Sequence, residues 1–259
     1  MSLVAEEVAD GKMLTLLQRF LEAGVMEDGV FKPTEIGTPQ GGVISPLLAN
    51  IVLDQLDWTL SRAGYRFVRY ADDFVIVTQS NRQAQEALIL VKQVIETRLG
   101  LKLSEEKTHI STYGKGYDFL GFSLSSRSRR MCDKSKKKFK DKVRVLTQRH
   151  RNLDHEAVAR LNRVIRGTAN YFAPMFATNQ GLFQKLDSWT RMRLRCMKKK
   201  RKNYSDNRKL KCGYFVRKLD LVTMESYCRR RDAHGKVHRI IPRNGATSWG
   251  PPSERPSRW

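Results

Sequence analysis

The clearest strand pattern in the chain lies at residues 65–78, where the sequence reads YRFVRYADDFVIVT. Aromatic and β-branched residues fill both halves of this segment, and the pair Ala71-Asp72 separates them. Two such runs on either side of a tight turn are typical of a β-hairpin, so we predict an antiparallel hairpin with its turn at these two residues. Residues 108–111 and 117–124 are predicted as further short strands.

Helical spacing of apolar residues dominates the rest of the chain. The predicted helices cover residues 3–23, 45–64, 81–95, 134–148, 155–171 and 181–200. Gly11 interrupts the first of them, and Ser45, Asn81 and Asp154 are side chains of the type that caps a helix. Helices with a few short antiparallel strands predict an α+β fold.

The amino-acid composition excludes several classes of protein. The chain has 259 residues, of which 40% are hydrophobic, so it can bury a core and is not wholly disordered. It contains no apolar run of the length that a membrane span needs, and its acidic start does not resemble a secretory signal. We therefore expect a cytoplasmic protein with reduced cysteines and no membrane partner. The spacing of Cys212 and Cys228, with two later histidines, fits no compact zinc site.

The net charge of the chain indicates the kind of partner that it binds, because it is +23 and is unevenly distributed along the sequence. Residues 1–122 contain 12 Lys or Arg and 16 Asp or Glu, a net charge of −4. Residues 123–259 contain 37 Lys or Arg and 10 Asp or Glu, a net charge of +27. Such a basic segment repels itself unless a polyanion or counterions neutralise it, which predicts nucleic acid as the partner.

The aspartates of the predicted hairpin are the candidates for chemistry. Adjacent carboxylates disfavour each other's charge, and a divalent cation removes that penalty. Beside a strongly basic segment, Asp72 and Asp73 favour nucleotidyl or phosphoryl transfer on nucleic acid. The alternative is an ordinary polar turn, in which Asp residues are common.

Four blocks around this hairpin follow one another in a fixed order. They are GTPQGG at 37–42 with SPLLAN at 45–50, YADD at 70–73, LKL at 101–103 with EKT at 106–108, and FLGF at 119–122. Together they resemble the ordered blocks of reverse transcriptases, in which Y-x-D-D is a signature. Residues 166–167 (RG) and 170–172 (NYF) resemble the thumb, or maturase X region, of group II intron proteins. Over residues 3–230 the chain is therefore similar to a group II intron-encoded reverse transcriptase/maturase of bacterial or organellar type.

This resemblance implies part of a right-hand polymerase palm, with a small antiparallel sheet and helices, followed by an α-helical thumb. The implied domains are a partial palm at residues 1–124, a basic thumb or maturase domain at 125–233 and a loosely ordered basic tail at 234–259. The implied partners are template or intron RNA, a DNA primer and deoxynucleoside triphosphates.

The resemblance also implies roles for individual residues. Asp72 and Asp73 would be catalytic and would hold Mg²⁺, with Mn²⁺ as an alternative. Lys107 would act on the leaving pyrophosphate, unless it is a plain surface lysine, and residues 119–122 would support the primer, unless they are strand core. The residues implied for the nucleotide and template pocket are Pro39, Gln40, Gly41, Tyr70 and Ala71. The candidate nucleic-acid contacts are Lys136, Lys137, Lys138, Lys140, Lys198, Lys199, Lys200 and Arg201.

The chain departs from the family pattern at its start. A third metal-binding aspartate on an earlier strand, and the finger segments before it, are expected ahead of residue 3. We therefore expect weak or no polymerase activity from the chain alone, with a separate chain supplying the missing palm and fingers. The competing hypothesis is an RNA-binding splicing cofactor without polymerase activity. A DNA-binding regulator agrees with the charge but not with the four ordered blocks.

Overall fold

The computed structural model describes residues 1–22, 25–27, 30–32, 44–231 and 237–239. The chain divides into two compact units, Met1–Ile110 and Ser111–Trp259. Both units combine helices with small antiparallel sheets, so the expected α+β character of the chain is confirmed. Within the described residues, no helix is both long and apolar enough to cross a membrane.

Four helices and two hairpins make up the described part of the first unit. The helices are Ser2–Glu7 (α1), Gly11–Glu22 (α2), Ser45–Arg62 (α3) and Asn81–Lys92 (α4), which continues as a π-helical turn over Gln93–Arg98. The antiparallel hairpins are Val25–Glu27 (β1) with Val30–Lys32 (β2), and Arg66–Tyr70 (β3) with Asp73–Val77 (β4). Leu56 and Leu60 of α3 are fully buried in a core that also contains residues of α4 and the π-helical turn.

Two helix starts differ by one residue from the predicted caps. The Ser80 hydroxyl, not the side chain of Asn81, caps α4 by accepting a hydrogen bond from Gln83 N at 3.2 Å. Ile44 precedes α3, so Ser45 is the first helical residue. Ser and Asn are both favoured at this position, and neighbouring residues of the two types are not separated by sequence pattern alone.

The interruption predicted at Gly11 is confirmed, because α2 begins there. The strand predicted at residues 108–111 is wrong. A turn closes just before it, where the backbone N–H groups of Lys107 and Thr108 donate to Ser104 O at 3.3 and 3.0 Å. Within the described part of the chain, this segment pairs with no strand.

Helices around a three-stranded sheet make up the second unit. The sheet has the order Tyr117–Phe119 (β5), Phe122–Leu124 (β6) and Arg129–Met131 (β7), and a further hairpin joins Arg229–Arg231 (β8) to Val237–Arg239 (β9). The helices are Asp133–Leu146 (α5), His155–Phe172 (α6), Gln180–Lys199 (α7) and Asp206–Lys209 (α8), with a π-helical turn at Tyr214–Lys218 and a 3₁₀ turn at Glu225–Tyr227. The cap predicted at Asp154 is confirmed, since its carboxylate accepts from Ala157 N at 2.7 Å.

A turn at Leu120 and Gly121 divides the segment predicted at 117–124 into two strands. Both residues have positive φ, +49° and +78°, which is the pattern of a type I′ hairpin turn. A Cβ on Gly121 would lie 2.9 Å from Ser135 Oγ and 3.3 Å from the Phe172 ring. Backbone conformation and packing therefore both require glycine at this point.

Buried polar side chains of α6 and α7 form hydrogen bonds with the backbone of residues 220–225. The Asp187 carboxylate accepts from Met224 N at 2.8 Å and from Glu225 N at 3.1 Å. The Asn162 amide oxygen accepts from Val222 N at 2.9 Å. Burial raises the pKa of Asp187 from its usual 3.8 to about 6, although the two backbone N–H groups favour the charged form.

The raised pKa of Asp187 predicts a pH dependence of stability. Between about pH 4 and pH 6 the folded chain keeps a proton that the unfolded chain has released, so stability falls as the pH rises. Between about pH 4 and pH 7, the free energy of unfolding of the wild type should fall by about 2 kcal/mol relative to that of the Asp187→Asn variant. Denaturant unfolding at both pH values measures this difference. Asp118→Asn, at an exposed site, is the control, and a parallel pH dependence of wild type and Asp187→Asn would contradict the prediction.

Candidate active site and nucleic-acid interface

The paired aspartates lie at the exposed end of the β3–β4 hairpin. Tyr70, the last residue of β3, pairs with Asp73, the first residue of β4, and Ala71 and Asp72 form the turn between them. The side chains of all four are exposed. Ala71 has a φ of +53°, a left-handed conformation that costs a residue with a Cβ about 1–2 kcal/mol. The predicted hairpin and its turn are confirmed.

The two faces of this hairpin have different surroundings. Phe67, Phe74 and Ile76 share one face and pack against the core of the first unit. Because cross-strand partners share a face and successive residues alternate, Tyr70 and Asp73 lie on the other face. Packing of the apolar face therefore directs the Asp73 side chain away from the core.

Arg69 makes five hydrogen bonds to three residues, two of them on α3 and one in the turn of the hairpin, and we call this set of contacts the Arg69 brace. Its Nε donates to Asp57 Oδ1 and Oδ2 at 2.9 and 3.0 Å, and its Nη2 donates to Asp57 Oδ2 at 2.5 Å. Its Nη1 donates to Asn50 Oδ1 at 2.8 Å and to the backbone oxygen of Ala71 at 2.9 Å. One guanidinium therefore holds the carbonyl of the turn and two side chains of α3.

Burial strengthens the Arg69 brace. The side chains of Arg69 and Asp57 are only 12% and 24% exposed. The hydrogen bond to Asp57 raises the pKa of Arg69, and desolvation opposes that rise without cancelling it. Asn50 and Asp57 are seven residues apart, so two turns of α3 bring them to the same face of the helix. The sequence predictions missed Arg69 and Asp57, although this spacing was a signal for them.

Asp72 and Asp73 are an oxygen donor set that fits a divalent cation. Mg²⁺ in nucleotide-processing sites is often held by one or two carboxylates together with waters and substrate phosphates. Two exposed carboxylates from consecutive residues meet that requirement. In the part of the chain that the structure describes, no three His, Cys, Asp or Glu side chains cluster as they would for a metal cage.

The remaining residues predicted for this site have different positions. Pro39, Gln40 and Gly41 lie outside the described residues. Lys107 is exposed in the turn that follows Ser104, and it belongs to the same compact unit as the aspartates. Phe122 is buried and contacts the rings of Tyr171 and Phe172, with centroid distances of 5.8 and 4.9 Å, so its strand-core role is confirmed.

Basic side chains of α5 surround an open groove with an apolar interior. Its volume is about 650 Å³, and Val145, Leu146 and Val164 contribute to its lining. Its cationic lining residues define what we call the α5 lysine groove: Lys134, Lys137, Lys138 and Lys142. Asp141 also lines it, but that carboxylate is paired with Arg144 at 2.5 Å. The groove therefore has an excess of positive charge.

The other predicted nucleic-acid contacts are divided between surface and intrachain partners. Lys199 is exposed at the end of α7. Lys136 pairs with Asp133, and Lys140 lies 5.7 Å from the centroid of the Trp189 ring. The partners in the α7 end segment are Tyr214 for Lys198, Arg151 O for Lys200 and Asp206 for Arg201. Of the predicted set, Lys137, Lys138 and Lys199 are exposed and make no hydrogen bond or ion pair within the described residues.

Two family models match consecutive parts of the chain. The model described as reverse transcriptase (RNA-dependent DNA polymerase) matches residues 7–124, and its match ends with the last residue of β6. The model described as group II intron, maturase-specific domain matches residues 136–215, which contain most of α5 together with α6, α7 and α8. The Arg69 brace lies within the first match.

Two curated relatives match about half of the chain. Protein YkfC of Escherichia coli K12 is 31% identical over 158 residues, which cover 48% of this chain and 42% of YkfC. The group II intron-encoded protein LtrA of Lactococcus lactis subsp. cremoris is 29% identical over 189 residues, which cover 48% of this chain and 32% of LtrA. The chain thus spans less than half the length of either relative.

Among solved structures, telomerase from Candida albicans, in complex with a fragment of telomeric RNA, matches with a TM-score of 0.39 and 14% sequence identity. The match covers 73% of this chain and 34% of the telomerase chain. The two consecutive family matches and the homology to LtrA relate this chain to reverse transcriptases and to group II intron proteins. The chain contains a reverse transcriptase region followed by a group II intron maturase-specific domain, and it is homologous to the group II intron-encoded protein LtrA.

Proposed function

We propose that this chain supplies the catalytic aspartates and the RNA-binding segment of a group II intron-encoded RNA-directed DNA polymerase. The observation that carries this proposal is the exposed end of the β3–β4 hairpin, which presents Asp72 and Asp73 to solvent while the Arg69 brace fixes their turn to α3. This hairpin lies inside the region matched by the reverse transcriptase model.

In this proposal Asp72 and Asp73 hold Mg²⁺, with Mn²⁺ as the alternative. Reverse transcriptases generally use divalent metal ions, and such an ion stabilises the negative charge that develops on phosphate oxygens during nucleotidyl transfer. Asp73 shares its face with Tyr70, so metal and nucleotide would be bound on the side of the hairpin opposite the core. The Arg69 brace is a positioning device that keeps the carboxylates from moving with the turn.

The pocket for template and incoming nucleotide is proposed to contain Tyr70 and Ala71, together with Pro39, Gln40 and Gly41. The exposed Lys107 would neutralise the triphosphate of the nucleotide. A DNA primer and deoxynucleoside triphosphates are the corresponding substrates. Polymerase segments beyond those matched here, in the same protein or in a separate chain, would complete the active site.

Residues 1–124 would then form part of the palm, residues 125–233 the thumb or maturase domain, and residues 234–259 a basic tail. The second segment binds RNA in this proposal. Its support is the charge of +27 over residues 123–259 and the α5 lysine groove, of which all lysines except Lys134 lie within the maturase-specific match. Phosphates along the groove would neutralise lysines that otherwise repel one another.

Metal binding by the aspartates can be tested without any catalytic activity. Mn²⁺ should broaden the amide resonances of residues 70–74 in the wild-type chain, because a bound paramagnetic ion relaxes nearby protons. The double variant Asp72→Asn, Asp73→Asn should lose this broadening, whereas Asp118→Asn should keep it. Equal broadening in the wild type and the double variant would show that the ion is held elsewhere.

Loss of the Arg69 brace should affect both stability and metal binding. Arg69→Met leaves the Asp57 carboxylate without its partner and should lower the free energy of unfolding by about 2 kcal/mol. Arg66→Met is the matched control, because Arg66 is an exposed arginine on the same strand. The Mn²⁺ affinity should fall in Arg69→Met and not in Arg66→Met. If both variants behave alike in unfolding and in Mn²⁺ titration, Arg69 does not position the turn.

RNA binding through the α5 lysine groove should be strongly salt-dependent. Each phosphate contact contributes about 0.7 to 0.9 to the slope of log K against log salt concentration. Replacing Lys134, Lys137, Lys138 and Lys142 by Gln should therefore reduce the slope by up to about 3. The control replaces four exposed cations of the first unit, Lys12, Arg19, Arg82 and Lys102. Filter binding at several salt concentrations measures the slopes, and an equal loss in both quadruple variants would argue against a specific groove.

A further inference from the structure

A second cavity of the second unit lies beside α7 and the segment that joins α7 to α8, and neither the aspartate site nor the α5 lysine groove includes it. Its volume is about 420 Å³. We call it the Tyr204 pocket. Its lining includes Arg201, Lys202, Tyr204 and Asp206. Aromatic, cationic and acidic groups therefore meet in one cavity.

Tyr204 is an aromatic surface that the protein itself leaves uncovered. Its side chain is 79% exposed, although the Lys202 Nζ lies 6.0 Å from the centroid of its ring. Exposed aromatic rings beside Lys and Arg are the platforms on which unpaired bases stack in RNA-binding proteins. The lining thus fits a flat, aromatic ligand that carries a phosphate.

Asp206 gives the pocket its specificity. Its side chain is 1% exposed, and within the described residues neither carboxylate oxygen has a hydrogen-bond partner. Arg201 Nη2 is 3.7 Å from Oδ1, too far for a hydrogen bond. Burying a carboxylate that accepts no hydrogen bond costs free energy of folding. A ligand that donates hydrogen bonds to this carboxylate removes that cost, so it should bind more tightly than it would to a carboxylate already hydrated by water.

Access to Asp206 depends on Arg201, which is the cation that lies nearest to it. The Arg201 side chain is 60% exposed. A long exposed side chain moves at little cost, and its departure would open the carboxylate to the pocket. Once displaced, its guanidinium would be available to a phosphate at the rim, together with Lys202. Ligand binding would thus exchange a distant ion pair for two sets of hydrogen bonds.

Two adjacent acceptors on a carboxylate require two adjacent donors on the ligand. On its Watson–Crick edge guanine presents N1–H and N2–H₂ side by side. Adenine and cytosine present an amino donor next to a ring-nitrogen acceptor, and uracil presents one donor between two acceptors, so each would place an acceptor against a carboxylate oxygen. Resting on the RNA binding proposed above, we propose that the Tyr204 pocket binds an unpaired guanine of the bound RNA through Asp206, with Tyr204 stacking on the base.

The decisive test changes the RNA and leaves the protein intact. Fluorescence anisotropy would compare short oligouridine strands that carry one central guanosine, inosine or adenosine. Inosine lacks only the N2 amino group, and its strand should bind the wild-type chain about ten-fold more weakly, as expected for one lost hydrogen bond to a charged group. Equal binding of all three strands, with the salt dependence retained, would overturn the guanine pocket and leave the RNA-binding proposal intact. Absence of salt-dependent binding to any strand would instead overturn both proposals.

Two variants and a competitor complete the test. Asp206→Asn and Tyr204→Leu should each remove the preference for guanosine over inosine, whereas Tyr113→Leu, at a tyrosine that is 53% exposed elsewhere in the unit, should keep it. Circular dichroism would verify that each variant is folded. A preference that persists in both pocket variants would overturn the assignment to this pocket. Displacement of the guanosine strand by equimolar free GMP would overturn RNA as the source of the base, and no displacement would support it.

Discussion

The bidentate ion pair between Arg69 and Asp57 determines where the two aspartates of the hairpin lie. A two-stranded hairpin is marginally stable by itself in water, and this one also contains a left-handed Ala71 at its turn. Apolar packing of Phe67, Phe74 and Ile76 fixes one face of the hairpin, but it does not reach the turn. The guanidinium of Arg69 does, because it donates to the Ala71 carbonyl while its other N–H groups hold Asp57 and Asn50 on α3. The position of Asp72 and Asp73 is thus set by a helix of the core and not by the turn alone.

The two halves of the sequence carry net charges of opposite sign. Residues 1–122 carry a net charge of −4 and present two carboxylates at an exposed turn, whereas residues 123–259 carry +27. In the second unit, buried polar groups such as Asp187 and Asn162 are satisfied by backbone N–H and C=O groups of the segment at 220–225. Most of the excess positive charge stays at the surface, where it can be neutralised by phosphates. Asp206 is the exception among the buried acids, because neither of its oxygens has a hydrogen-bond partner within the described residues.

Periodicity and turn chemistry predicted the main elements, because they are local. The hairpin at Ala71-Asp72, the break at Gly11 and the Asp154 cap follow from residue types next to one another. Other features depend on contacts that sequence spacing does not contain. The segment at 108–111 has strand-like residues but no partner strand, and the Arg69 brace joins residues that are 12 and 19 positions apart in the chain. The lysines of α5 were predicted as one set of nucleic-acid contacts. They lie on different sides of the helix, so Lys140 lies over the Trp189 ring, whereas Lys137 and Lys138 line the groove.

We propose that Asp72 and Asp73 form the catalytic centre of RNA-directed DNA synthesis and that the basic second segment binds the RNA. Primer extension of oligo(dT) on poly(rA) with Mg²⁺ tests it most directly, using the chain alone and mixed with a chain that carries the other polymerase segments of this family. We expect the mixture to incorporate deoxythymidylate, and we expect Asp73→Asn to abolish incorporation without weakening RNA binding. Extension that persists in the Asp72→Asn, Asp73→Asn double variant would contradict it.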